Sequence, residues 1–153
     1  MKPTEKFAKE YAEVQELLKH HPEVGDFTVV GSSRIVEDPQ DLDVLVLLPR
    51  RHGNEGTSLA RDAEETALAA FGQDWQACRE SYELLGHHWC ALRRGPINLI
   101  VTTDPDWFSR FRRADEVCVA LKLTNKADRK VVHRIVRDGY DAKLAVACAT
   151  VES

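Results

Sequence analysis

Leu42-Asp43-Val44-Leu45-Val46-Leu47-Leu48 is the stretch on which the fold turns. A strand with one face in water alternates apolar and polar side chains, whereas every residue here except Asp43 is aliphatic, and Pro49 closes the run. Such continuity predicts a central strand covered on both faces. Just upstream, Phe27-Thr28-Val29-Val30 is short and largely β-branched and runs into Gly31-Ser32-Ser33, which reads as a strand ending in a tight loop. Before it, Phe7, Tyr11, Val14 and Leu18 fall at helical spacing, predicting an amphipathic helix over 4–20 with Thr4 as cap. Downstream, residues 51–58 read as loop, and the alanine-rich Leu59 to Phe71 reads as a helix stopped by Gly72. His88 to Leu92 and Ile97 to Thr102 flank Arg93-Arg94-Gly95-Pro96 and predict a β-hairpin. Asp104-Pro105 supplies an N-cap and an N1 proline for a helix carrying Trp107, Phe108, Phe111, Val117 and Leu121. Thr124 and Asn125 can cap a further helix over about 126–138, ending at Gly139, and 141–151 reads as a final helix or docked tail. The expected class is α/β (α+β): a mixed sheet of about four strands flanked by helices, in one domain over 1–153 with C-terminal helices over about 105–150.

The chain has 153 residues, 43% hydrophobic and 30% charged, with a net charge of −4, an ordinary composition for one globular domain. That charge gives no long-range attraction for nucleic acid or anionic membrane. Acidic side chains outnumber basic ones up to residue 92 and the balance reverses from residue 93 onward. This asymmetry suits an acidic centre in the first part and a phosphate-contacting surface in the second, although solvated helix faces would give the same pattern. No apolar segment is long enough to span a bilayer and none follows Met1 as a leader, so a soluble, cytoplasmic protein is expected. Cys78, Cys90, Cys118 and Cys148 are widely spaced and form no Cys-x-x-Cys pair, predicting reduced, packed thiols.

The chemistry concentrates in Val30-Gly31-Ser32 and Asp41-Leu42-Asp43-Val44. Residues i and i+2 of a strand share a face, so Asp41 and Asp43 project together, about 6–7 Å apart at Cα, while Leu42 and Val44 enter the core. Two carboxylates side by side repel unless a divalent cation lies between them, and Mg²⁺ is held by few carboxylates, with water and phosphate filling the rest. Gly31 allows close backbone approach, and with Ser32 it offers N–H groups to phosphate oxygens. Taken together, a phosphate-holding turn and a metal-holding pair on neighbouring strands can orient a nucleoside triphosphate for attack at its α-phosphorus.

These residues resemble the signature of the DNA polymerase beta-like nucleotidyltransferase superfamily, and the resemblance covers a core of about 27–102. Ile97-Asn98-Leu99-Ile100-Val101-Thr102 followed by Trp107-Phe108 also resembles small nucleotidyltransferase-like proteins of bacteriophages. The resemblance implies Mg²⁺ on Asp41 and Asp43, and an NTP whose phosphates meet Gly31, Ser32 and Ser33. It also implies that Lys122, Lys126 or Arg129, on helices after the sheet, reach the triphosphate. At the third catalytic position, where the superfamily usually has a carboxylate, stands Asn98. An amide oxygen can ligate Mg²⁺ but accepts no proton at neutral pH. A base is then to be sought in Asp104, Glu37 or Asp38, or in water.

Two functions follow as expectations: transfer of a nucleoside monophosphate to an acceptor hydroxyl on a protein, RNA or small molecule, or a catalytically degenerate binding module for nucleotide or host protein. A chain this short is compatible with a homodimer that completes the cleft. The pairs His20-His21 and His87-His88 have no ligand at metal-binding spacing, and Trp75, Trp89 and Trp107 read as core or interface aromatics rather than base-stacking surfaces. No Gly-x-x-x-x-Gly-Lys-Ser/Thr loop and no Gly-x-Gly-x-x-Gly fingerprint occurs.

Overall fold

The computed structural model describes residues 3–50, 59–72, 74–78 and 89–138. The expected loop over 51–58, the stop at Gly139, the segment 141–151, Cys148 and the pair His87-His88 lie outside the described residues.

Helices α1 (Pro3–Lys6) and α2 (Ala8–Lys19) lead into β1 (Asp26–Val30), a 3₁₀ turn (Gly31–Arg34) and β2 (Leu42–Leu47). Then come α3 (Leu59–Phe71), β3 (Gln76–Ala77), β4 (Trp89–Arg94), β5 (Ile97–Thr102), α4 (Pro105–Ala120), α5 (Lys126–Val132) and a π-helical segment (His133–Asp138). The expected helix over 4–20 is thus two pieces, broken at Phe7, whose backbone (φ −112°, ψ 29°) leaves the helical region while its ring is buried.

The sheet is mixed and has five strands, in the order β1-β2-β5-β4-β3, rather than about four. β2 runs parallel to β5, and the other pairings are antiparallel. The additional strand, β3, is a two-residue edge with too few positions to show a period. β2 lies inside the sheet and its aliphatic side chains divide between two cores, as its continuous apolarity requires. Leu42, Val44 and Val46 join Leu99 and Val101 against Val14 and Leu18 of α2 and Ala63 and Ala67 of α3. On the opposite face Leu45 joins Val30, Trp107, Phe108 and Phe111, so α4 covers that side. Each such aliphatic side chain, fully withdrawn from water, contributes about 1.5–3 kcal/mol.

Two local features position the site. The hairpin turn is Gly95-Pro96 alone, with Gly95 at φ +60°, so Arg93 and Arg94 belong to β4 instead of the connection. The Asp104 carboxylate accepts from the N–H groups of Asp106 and Trp107, capping α4 just ahead of Pro105. Among the described residues no helix is long and apolar enough to cross a membrane. Cys90 and Cys118 are buried free thiols, and burial pushes both above the usual thiol range.

Candidate functional site

Asp43 pairs in register with Val30 on one side and Asn98 on the other, and Asn98 pairs with Arg93. Paired residues in adjacent strands share a face, so these four side chains form a row across the sheet on the side of α4. The Asn98 Nδ2 donates to Asp43 Oδ1 at 3.1 Å. Asp41, two residues before Asp43, is met by Arg93 Nη2 at 3.2 Å. Both partners of that pair are well exposed, which keeps its energetic value small.

Gly31 opens the 3₁₀ turn directly after β1, beside this row, with φ at +77°. A Cβ there would lie 2.6 Å from Asp43 Oδ2, so a glycine is needed for both its backbone angle and the space it leaves to the carboxylate. Its N–H donates to Asp115 Oδ1 at 2.7 Å, and Arg34 Nη1 donates to Asp115 Oδ2 at 2.6 Å. Asp115, 1% exposed, thereby ties α4 to the turn. The sequence reading gave the Gly31 N–H to phosphate; it is committed to Asp115, and the role of Gly31 is close approach to Asp43.

Burial holds the Asp43 carboxyl above the usual range. The Asn98 hydrogen bond opposes this, and the nearby Asp41 carboxylate adds to it. Burial also pushes Asp115 up, against the pull of the Gly31 N–H and Arg34. A group with a raised folded-state pKa binds its proton more tightly folded than unfolded, so its contribution to stability is present at acid pH and is lost as pH rises through the raised pKa. Asp43→Asn keeps an oxygen for Asn98 and removes the charge. Its melting temperature is expected to equal or exceed that of the parent protein at neutral pH, and the difference should vanish as Asp43 protonates. Thermal melts between about pH 4 and pH 8 measure this.

Asp41 and Asp43 face a cleft of about 930 Å³ whose lining includes Gly31 and Ser32 on one side and Lys126, Arg129, Lys130 and Arg134 on the other. An acidic strand end thus opposes a cationic helix. Lys126 and Arg129 line the cleft, and Arg129 Nη1 also donates to the carbonyls of Leu123 (3.0 Å) and Thr124 (2.8 Å) in the connection between α4 and α5. The remaining expectations need correction. Ser33 is buried and its hydroxyl donates to the Val30 carbonyl at 3.2 Å, so it packs the turn from behind. Lys122 is the exposed residue after α4, in left-handed conformation (φ 51°), outside the cleft lining. Asp104 is spent on its cap and lies past the end of β5, whereas Asn98 is the second residue of that strand. Asp38 pairs with Lys6, and Glu37 is exposed outside the lining.

No protein-family model, curated protein or solved structure matches the chain. The site therefore has to be read from its own chemistry. Among the described residues no group of three or more His, Cys, Asp or Glu side chains forms a metal-ligating cluster. Mg²⁺ bound together with a phosphate ligand uses only one or two carboxylates, and that is what Asp41 and Asp43 provide. The raised pKa of Asp43, owed partly to Asp41, fits such an ion, since a dication between the two groups would replace repulsion by attraction. Asn98 meets the site through its hydrogen bond to Asp43 and is not part of the cleft lining.

Proposed function

We propose that the chain is a Mg²⁺-dependent nucleotidyltransferase-fold protein that binds an NTP in this cleft and transfers its nucleoside monophosphate to an acceptor hydroxyl. What carries the reading is the convergence of Asp41, Asp43 and the Gly31-Ser32 turn on one wall of a cleft whose opposite wall is cationic. When bound, Mg²⁺ would supply neutralisation of the phosphate oxygens and of charge developing at the α-phosphorus.

In that arrangement Asp41 and Asp43 hold the metal end of the ligand, and Lys126, Lys130 and Arg134 attract the outer phosphates. Asn98 holds the Asp43 carboxylate by its hydrogen bond. The acceptor oxygen forms a bond to the α-phosphorus, the bond from that phosphorus to the bridging oxygen breaks, and pyrophosphate leaves. Asp104 caps a helix, Asp38 pairs with Lys6 and Glu37 is outside the cleft lining, so we assign the hydroxyl proton to water. The acceptor is a protein, RNA or small molecule. The setting is the cytoplasm, that of an infected host if the chain is phage-encoded.

A second reading has two observations in its favour: Asn98 stands where a third carboxylate would accept the proton, and Arg93 occupies Asp41. Both suit a protein that keeps nucleotide or partner binding and has lost turnover. Transfer of label from an α-labelled NTP decides between them. Asp41→Ala and Asp43→Ala are expected to abolish transfer while the protein stays folded; transfer surviving both changes overturns the enzymatic reading. Asn98→Asp should change the rate of a working site. In a degenerate one it raises Mg²⁺ affinity without turnover.

A further inference from the structure

We infer that the end of the cleft remote from the acidic pair is a subsite for a planar heteroaromatic base, with the indole of Trp89 as its stacking surface. The inference rests on the nucleotide reading above and names the part of the ligand recognised there. Trp89 opens β4 opposite Thr102, whereas Arg93, four residues on, is level with Asn98 and Asp43. The two levels are about 13 Å apart along the sheet, a separation that an extended nucleotide can span. Side chains from both levels line the same cleft.

Trp89 is only half buried, and it is backed by Trp107, with ring centroids 6.1 Å apart and planes 12° from parallel. Trp107 is buried and fixed in turn by Phe111, edge-on at 5.4 Å, and by the Arg137 guanidinium at 5.6 Å. A flat surface held rigidly from behind loses little entropy when a ring settles on it. Phe111 and His133, 4.8 Å apart in a T-shaped contact, continue this wall, so the remote end is aromatic while the near end is acidic.

The cationic side decides that the ligand is not simply apolar. Lys126, Lys130 and Arg134 line the cleft and make no hydrogen bond or ion pair with the described residues. Lys126, Lys130 and Arg134 recur at every fourth residue, and over these eight residues a helix turns only about 80° beyond two full turns, so the three cations share one stripe. An apolar guest would leave that stripe unpaired, and inorganic polyphosphate would leave the aromatic end unused. A polyphosphate joined to a base satisfies both.

The test is calorimetric titration of Mg-ATP and of Mg-tripolyphosphate into the parent protein, Trp89→Ala and Trp89→Phe. The parent protein is expected to prefer Mg-ATP by about tenfold or more, within the range of one base–aromatic stack. Trp89→Ala should remove most of that preference and leave tripolyphosphate affinity within about twofold, while Trp89→Phe keeps the preference within about threefold. Equal affinity for the two ligands in the parent protein, an unchanged preference in Trp89→Ala, or an equal loss for both ligands overturns the base subsite while leaving anion binding in place. If neither ligand binds the parent protein, the nucleotide reading fails and the subsite with it.

Discussion

Gly31→Ala is expected to cost about 1–2 kcal/mol of stability through its left-handed backbone alone and to weaken Mg²⁺-nucleotide binding about tenfold or more, as disturbance of a metal ligand's surroundings does. The backbone angle of +77° is unfavourable for any L side chain. The new methyl would also sit 2.6 Å from Asp43 Oδ2, a contact that must open. The cheapest relief is rotation of the Asp43 carboxylate, because that group ends a side chain whereas the turn is held by Asp115. Rotation breaks the bond from Asn98 and turns the carboxylate away from Asp41. Urea denaturation measures the first effect and calorimetry with Mg-ATP the second. A variant that loses stability and binds normally would show that the contact with Asp43 has no bearing on the site.

Asp115→Ala is expected to have the larger effect on folding, about 2–4 kcal/mol. The carboxylate is 1% exposed and receives both the Gly31 N–H and the Arg34 guanidinium. Its removal strands a backbone donor under α4 and leaves Arg34 without its partner. Arg34 is one-third exposed and regains some water, which keeps the cost below that of a fully buried pair. Asp115→Asn should cost about 1 kcal/mol or less, because an amide oxygen can still accept from Gly31 and burial already disfavours the charge. Equal losses for Ala and Asn in urea denaturation would assign the effect to charge and remove the Gly31 hydrogen bond from the account.

These residues show what a sequence can and cannot disclose. The continuous aliphatic run of β2 has one physical explanation, burial on both faces, and it is buried on both. The Asp41 and Asp43 spacing fixes a shared face through the period of a strand, and Asp104-Pro105 fixes a helix start through capping chemistry; both are local and both were legible. Asp115 belongs to no motif and, beside Glu116 in a charged segment, is easily taken for part of a solvated face. It instead shares the buried stripe of Phe108, Phe111 and Cys118 on α4. That spacing was a usable signal, since a carboxylate on an apolar helix stripe needs a buried donor. The partners themselves, Gly31 and Arg34, lie more than eighty residues away and follow only from packing.

Arg93 illustrates a different limit. Gly95-Pro96 marks a turn, yet whether Arg93 and Arg94 belong to the turn or to the strand depends on register, and one residue of register decides the face of every side chain. Placed in β4, Arg93 is level with Asn98 and meets Asp41. Likewise, 126–138 shows helical periodicity throughout, and nothing in it announces the change to a π-helical turn at His133.

The claim on which the rest depends is that Asp43 and Asp41 jointly hold a divalent cation for a bound nucleotide. Titration of ATP into the parent protein and into Asp43→Asn, with Mg²⁺ and with chelator, tests it most directly. The account predicts binding to the parent protein that requires Mg²⁺ and is lost in Asp43→Asn, a variant whose melting temperature at neutral pH is not lowered. Binding of equal strength in the variant, or undiminished without Mg²⁺, would contradict it.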